Sequence, residues 1–180
     1  TGGPRTLEEI LPDLPAGFPW PVIVAQHMPS SFTAALTKRM GSLCDLGVVE
    51  VTRPMPLQAG QIYIAMGDSD ILVGRRSQGV VVMPAPPSED YLWHPSVDAL
   101  VKSAHRVFPA QRVIGVLLTG MGHDGAHEMS LLRQSGGRTI AESEESAVVF
   151  GMPSELIRRN GAEVVLPAER ISRQLMEWLS

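Results

Sequence analysis

Residues 113–125 read VIGVLLTGMGHDG. The apolar run VIGVLLT (113–119) breaks into a glycine-rich turn, and GAHEMSLLRQSGG (125–137) then continues with helical spacing and stops at a glycine pair. A short β-branched run bounded by glycine reads as a strand buried on both faces. A strand that turns at once into a helix is the repeating unit of a parallel α/β sheet.

The same unit recurs on both sides. PVIVAQ (21–26) leads into SSFTAALTKRMGSL (30–43), with Ser31 as the expected N-cap. RTIAE (138–142) precedes MPSELIRRNG (152–161), which opens at Pro153 and stops at Asn160-Gly161, and EVVLP (163–167) precedes AERISRQLMEWL (168–179). HPSVDALVKSAHRVF (94–108) reads as a helix started by Pro95 and Ser96. TGGPRTLEEIL (1–11) has the form of the loop and helix that follow a strand, so a first strand, central in the sheet, is expected upstream of residue 1. The middle differs: GVVEVT (47–52), GQIYIAMG (60–67) and DILVGRRSQGVVVMP (70–84) predict an antiparallel hairpin insertion at one edge. The expected fold is therefore one doubly wound α/β domain over 1–180, mostly parallel, with helices on both faces and a hairpin insertion.

Composition narrows the function. With 180 residues, 44% hydrophobic and 19% charged, the chain has enough apolar material for one domain with a proper core. Nineteen Asp and Glu against fifteen Lys and Arg give a net charge of -4, which provides no basic face for nucleic acid or an anionic membrane. Cys44 is the single cysteine; it cannot form an internal disulfide, reads as packing, and points to a reducing, cytoplasmic setting. No apolar stretch reaches the roughly 20 residues of a membrane helix, and no signal-peptide pattern opens the chain.

In an open parallel sheet, functional groups collect where the strands end. Three loops leave such ends: TGG (1–3), QHMPSS (26–31) and TGMGHDG (119–125). They carry His27 and Asp124, an imidazole and a carboxylate, which are two of the three groups of a hydrolase triad. The bland alternative makes His27 a rim histidine and Asp124 the N-cap of its own helix. GMGHDG (120–125) also has the spacing of a dinucleotide loop, and Glu142 ends the next strand about 20 residues on, where a ribose-binding carboxylate belongs. Against that reading, such a loop normally follows the first strand of its fold, and Asp124 would put its own charge where a phosphate must sit. His123 and His127 have the i, i+4 spacing of a zinc-binding helix, but the neighbouring Glu128 follows the second histidine. Thr1 as an N-terminal nucleophile suits a Gly-Gly-Pro helix start poorly.

Five strings, TGG, QHMPSSF (26–32), WHPSVDAL (93–100), GVLLTGMGHDGA (115–126) and AESEESAVVFGMP (141–153), stand in the order and at about the separations that mark the catalytic domain of the chemotaxis receptor methylesterases. The chain resembles that family over nearly its whole length. The resemblance implies a doubly wound α/β sandwich and hydrolysis of glutamyl γ-methyl esters on the cytoplasmic helices of bacterial chemoreceptors, releasing methanol, often with deamidation of selected glutamines. It needs no cofactor. His27 matches the general base, Asp124 the acid that orients it, the Met121 backbone an oxyanion donor, and Thr1 the neighbour of the nucleophile. That nucleophile is the serine of an S-T-G-G motif, so it is expected just upstream of Thr1; Ser30 and Ser31 match the start of the following helix. The family also commonly carries a phosphoreceiver domain on the amino-terminal side. This chain departs from the usual pattern at His94, His123, Met66 and Asp70, where the family tends to have Arg, Asn, Pro and His, while base and acid stay in place. Two rivals complete the expectations: a dinucleotide-binding oxidoreductase and a catalytically silent domain that only binds a receptor or partner.

Overall fold

A computed structural model describes residues 2–180; Thr1 lies outside the described residues. The first half of the chain contains α1 (Gly3–Ile10), β1 (Val22–Val24), α2 (Ser30–Leu43), β2 (Gly47–Val51), β3 (Met55–Pro56), β4 (Gln61–Ala65), β5 (Asp70–Arg76) and β6 (Gly79–Ala85). The second half adds α3 (Val97–Val107), β7 (Ile114–Leu117), α4 (Ala126–Gln134), β8 (Arg138–Glu142), α5 (Met152–Arg158), β9 (Val164–Leu166) and α6 (Ala168–Leu179). Outside the run of strands from β2 to β6, strand and helix alternate as the apolar runs and their glycine and proline boundaries require.

The strands form two parallel sheets, ordered β1-β4-β2 and β7-β8-β9, and one antiparallel sheet ordered β3-β6-β5. The hairpin of β5 and β6 answers the expected insertion. GVVEVT and GQIYIAMG do not belong to it. They supply β2 and β4 of a parallel sheet, with Val49 and Ile23 both in register with Tyr63. The connection over 52–60 makes the crossover without a helix, and its short β3 pairs with β6 instead. The pattern of β4 held the clue, because Ile62, Tyr63, Ile64 and Ala65 are all buried, as expected of a strand covered on both faces.

Each face has its own core. On one side, Leu7 of α1, Leu36 and Met40 of α2, Ile62 and Ile64 pack together, and Ile140 with Ile171 of α6 continues this layer under β8. On the other, Leu117 packs with Ala126, Met129 and Leu132 of α4 and Leu156 of α5, while Tyr63, Ile71, Val82 and Leu100 join the hairpin to α3. Ile140 is fully buried, and truncating it to alanine should cost about 2–5 kcal/mol in lost transfer energy and cavity formation.

The two parallel sheets present their edge strands to a common groove. Val22–Val24, Ile114 and Val116–Leu118 line a cavity of about 380 Å³ beside α1 and α6, and Ile23, Ala25, Ile114 and Val116 also line one of about 360 Å³ on the α3 side. Because β1, β4, β7 and β8 run parallel, the loops at 25–29, 66–69, 118–125 and 143–151 gather at one edge of the molecule. Among the described residues no helix is long and apolar enough to cross a membrane.

Candidate active site

His27 follows β1 on a loop that is anchored from outside. The N-cap position of α2 is Pro29, with no side-chain cap, and the Ser30 amide donates to Asp68 Oδ2 at 2.9 Å. Ser31 is therefore not the cap that its position suggested; the turn after β4 supplies it, because a proline at the cap position has no side-chain acceptor. The Ser30 amide in turn holds the exposed Asp68 carboxyl below its ordinary range.

Asp124 stands 97 residues further on and meets His27, with Nε2 of the ring 2.7 Å from Oδ2. The carboxylate is 2% exposed and collects three more donors: Val97 N at 2.7 Å, Asp98 N at 3.0 Å and Ser96 Oγ at 3.3 Å. It therefore sits at the start of α3, where free amides and the helix dipole favour negative charge. This corrects the bland expectation: Asp124 caps a neighbouring helix and not its own. Gly125, with φ 91°, begins α4 and turns the chain so that the preceding side chain faces α3.

A carboxylate can only accept, so the proton between the two groups belongs to His27 Nε2, and Nδ1 is left as the ring's acceptor. The ring side chain is 22% exposed, within reach of an incoming group. Trp93 lies parallel to it, with centroids 5.8 Å apart and planes within 3°, and meets His123 edge-on at 5.0 Å. Gly122, at φ 95°, leaves the space that the Trp93 ring fills.

Met121 is 72% exposed and lines the same groove as His27 and Trp93. Its peptide is fixed from behind. Gly120 N donates to Val149 O at 3.0 Å, and Met152 N donates to Gly120 O at 2.8 Å. Carbonyl and N–H of a trans peptide point in opposite directions, so the Met121 N–H faces away from the segment that holds the Gly120 carbonyl. Among the described residues it has no acceptor.

The rivals fare less well against this geometry. Glu142 is fully buried and accepts from Thr119 N at 2.8 Å and Ser146 Oγ at 2.7 Å, so it holds two loops together and has no face for a ribose. His123 is turned to Trp93, and among the described residues no group of at least three His, Cys, Asp or Glu side chains is placed to hold a metal ion. Cys44 packs against the first core, and burial, followed by the charge of Asp45, pushes its thiol up.

The structure also brings in Trp93 and Asp98, which the sequence did not single out, and gives Ser96, the N-cap expected for α3, a second contact at Asp124. Asp98 Oδ1 accepts the Glu128 amide of α4 at 3.0 Å; its pKa is raised, chiefly by burial and further by the charge of Asp124, although hydrogen bonds from the Glu128 and Gly125 amides offset part of this. His94 and Asp70, two of the departures noted above, are in contact at 3.0 Å.

The family model for the CheB methylesterase matches residues 1–175. The chain belongs to the CheB methylesterase family. It is 58% identical over 180 residues to protein-glutamate methylesterase/protein-glutamine glutaminase 3 of Rhodospirillum rubrum, covering 100% of this chain and 49% of that protein. It is 51% identical over 178 residues to protein-glutamate methylesterase/protein-glutamine glutaminase 2 of Rhodopseudomonas palustris, covering 99% and 49%. The crystal structure of the Thermotoga maritima CheB methylesterase catalytic domain superposes with a TM-score of 0.93 at 38% identity, covering 98% of this chain and 93% of that one. The chain spans about half the length of the curated relatives it matches.

Proposed function

We propose that this chain is the catalytic domain of an esterase that hydrolyses glutamyl γ-methyl esters on the cytoplasmic helices of bacterial chemoreceptors, with deamidation of selected glutamines as a second activity. The carrying observation is the His27–Asp124 pair at 2.7 Å, whose carboxylate is buried and fully engaged by donors.

In this reading the attacking hydroxyl belongs to a serine immediately before Thr1. Its oxygen attacks the ester carbonyl carbon while its proton moves to His27 Nδ1, and the imidazolium is stabilised by Asp124. The carbonyl oxygen becomes an oxyanion facing the Met121 N–H, with Thr1 contributing to the same pocket. Collapse expels methoxide, which takes the proton from His27 and leaves as methanol. Water, activated by the same ring, then releases the glutamate and regenerates the serine.

β1 and β7 are the outer strands of their two parallel sheets, and Ile23, Ile114 and Val116 line the apolar space on both sides of them, which supports a strand leading to that serine. The partners in this proposal are methylated receptor helices in the cytoplasm and a phosphoreceiver domain in the remaining half of the protein.

The test compares a protein that starts at Thr1 with one that starts about ten residues earlier, room for a strand of typical length. Intact mass confirms each chain, and methanol release from methylated receptor is measured. Activity should require the longer chain. Equal, substantial activity in both would place the nucleophile within residues 1–180 and overturn this assignment.

A further inference from the structure

Asp124 can serve His27 only if the helix start that holds it is itself held, and a second buried carboxylate does that. Asp70, the first residue of β5, is 3% exposed. Its Oδ2 accepts Ser88 N at 3.1 Å, and its Oδ1 accepts both Ser96 N at 3.1 Å and His94 Nδ1 at 3.0 Å. Ser96 is fully buried and stands between the two carboxylates. Its amide goes to Asp70, and its hydroxyl donates to Asp124 Oδ1 at 3.3 Å while accepting Ala99 N at 3.1 Å.

From this geometry we infer that Asp70 and His94 are a positioning pair for the catalytic carboxylate, acting through Ser96. The inference rests on the esterase reading above. Among the described residues His94 provides the one side-chain donor to Asp70, the other donors being backbone amides. Without it, Asp70 is buried with less compensation and free to draw Ser96 toward itself or release it, and the Ser96 hydroxyl carries that movement to Asp124. Among the described residues no hydrogen bond joins Asp70 or His94 to His27 or Asp124, and their link to the pair runs through Ser96, so the effect expected is on the turnover step. Misplacement of a catalytic group by about 1 Å costs on the order of a hundredfold in rate.

The test uses the full-length protein and His94→Ala, His94→Asn and His94→Gln. An asparagine amide overlies imidazole Nδ1 and can renew the bond to Asp70, whereas a glutamine amide overlies Nε2 and cannot. His94→Ala and His94→Gln should lose about 10- to 100-fold in kcat for methanol release with KM within about twofold, and His94→Asn should stay within about threefold of the wild type. In the same samples the downfield proton resonance of the His27–Asp124 hydrogen bond should shift or broaden in the alanine and glutamine variants and persist in the asparagine variant. Wild-type kcat in folded His94→Ala, or an asparagine variant as impaired as the glutamine one, would overturn the pair's role. If the wild type releases no methanol, the esterase reading fails and the resonance alone decides: unchanged in all three variants, it overturns the positioning pair as well.

Discussion

Asp98 and Asp124 cap each other's helices. Asp124 takes the Val97 and Asp98 amides at the start of α3, and Asp98 takes the Glu128 amide at the start of α4. Two helices that follow different strands are thereby locked end to end, and the carboxylate facing His27 is part of the lock. The site's geometry and part of the fold's stability consequently depend on the same side chains.

Replacing Asp124 separates it from His27. Asp124→Asn loses the ring's tautomer lock and counter-charge, a change that has cost about 10⁴ in kcat in a serine protease. It also turns an amide group toward one of the donors it now satisfies, so stability should drop by about 1–3 kcal/mol while the fold persists. His27→Ala should abolish activity as completely and cost less stability than Asp124→Asn, since Asp124 keeps its three donors from Ser96, Val97 and Asp98. Methanol release and denaturant titration on both variants check this; near-normal methanol release from either would remove the triad assignment.

Asp98 should give the protein a pH signature. Its folded pKa is raised, so the folded state holds this proton more tightly than the unfolded chain does. Its contribution is therefore favourable below the ordinary carboxylate range and is lost as pH rises through the raised value. Asp98→Asn keeps an oxygen for the Glu128 amide and removes the charge beside Asp124, so it should melt higher than the wild type at neutral pH, with the gap closing in acid. Thermal unfolding of the two proteins across that range decides; a gap that widens toward acid contradicts the assignment.

Trp93 should matter for turnover. An aromatic pair is worth about 0.5–1.5 kcal/mol beyond burial, so Trp93→Ala should lower kcat by up to about tenfold while Trp93→Phe retains most of it. Gly122→Ala should resemble the alanine variant, because a Cβ there collides with the Trp93 ring and the positive φ strains the backbone. Steady-state kinetics on the three variants provide the comparison, and full activity in Trp93→Ala would assign the ring to packing alone.

Despite GMGHDG, the protein should not bind NAD or NADP. Glu142 is sealed beneath the loop, and the start of α4 is already occupied by Asp98, so neither the ribose nor the pyrophosphate finds its usual partner. Titration calorimetry should show no heat of binding; a micromolar dissociation constant for either dinucleotide would revive the oxidoreductase.

The sequence by itself determined the alternation of strands and helices, the position of His27 and Asp124 at strand ends, and the hairpin over 70–84, because each is encoded in apolar period, glycine and proline within a dozen residues. It misassigned 47–52 and 60–67, since parallel and antiparallel strands differ in their partners and not in their own residues. Tertiary structure alone decided which helix Asp124 caps, that Asp68 and not Ser31 satisfies α2, and that Glu142 is buried. Those outcomes pair residues 23 to 38 positions apart, and the 2.7 Å bond from His27 spans 97, so no local pattern can carry them. A buried carboxylate goes wherever unpaired amides are nearest in space, and only the folded sheet sets that distance.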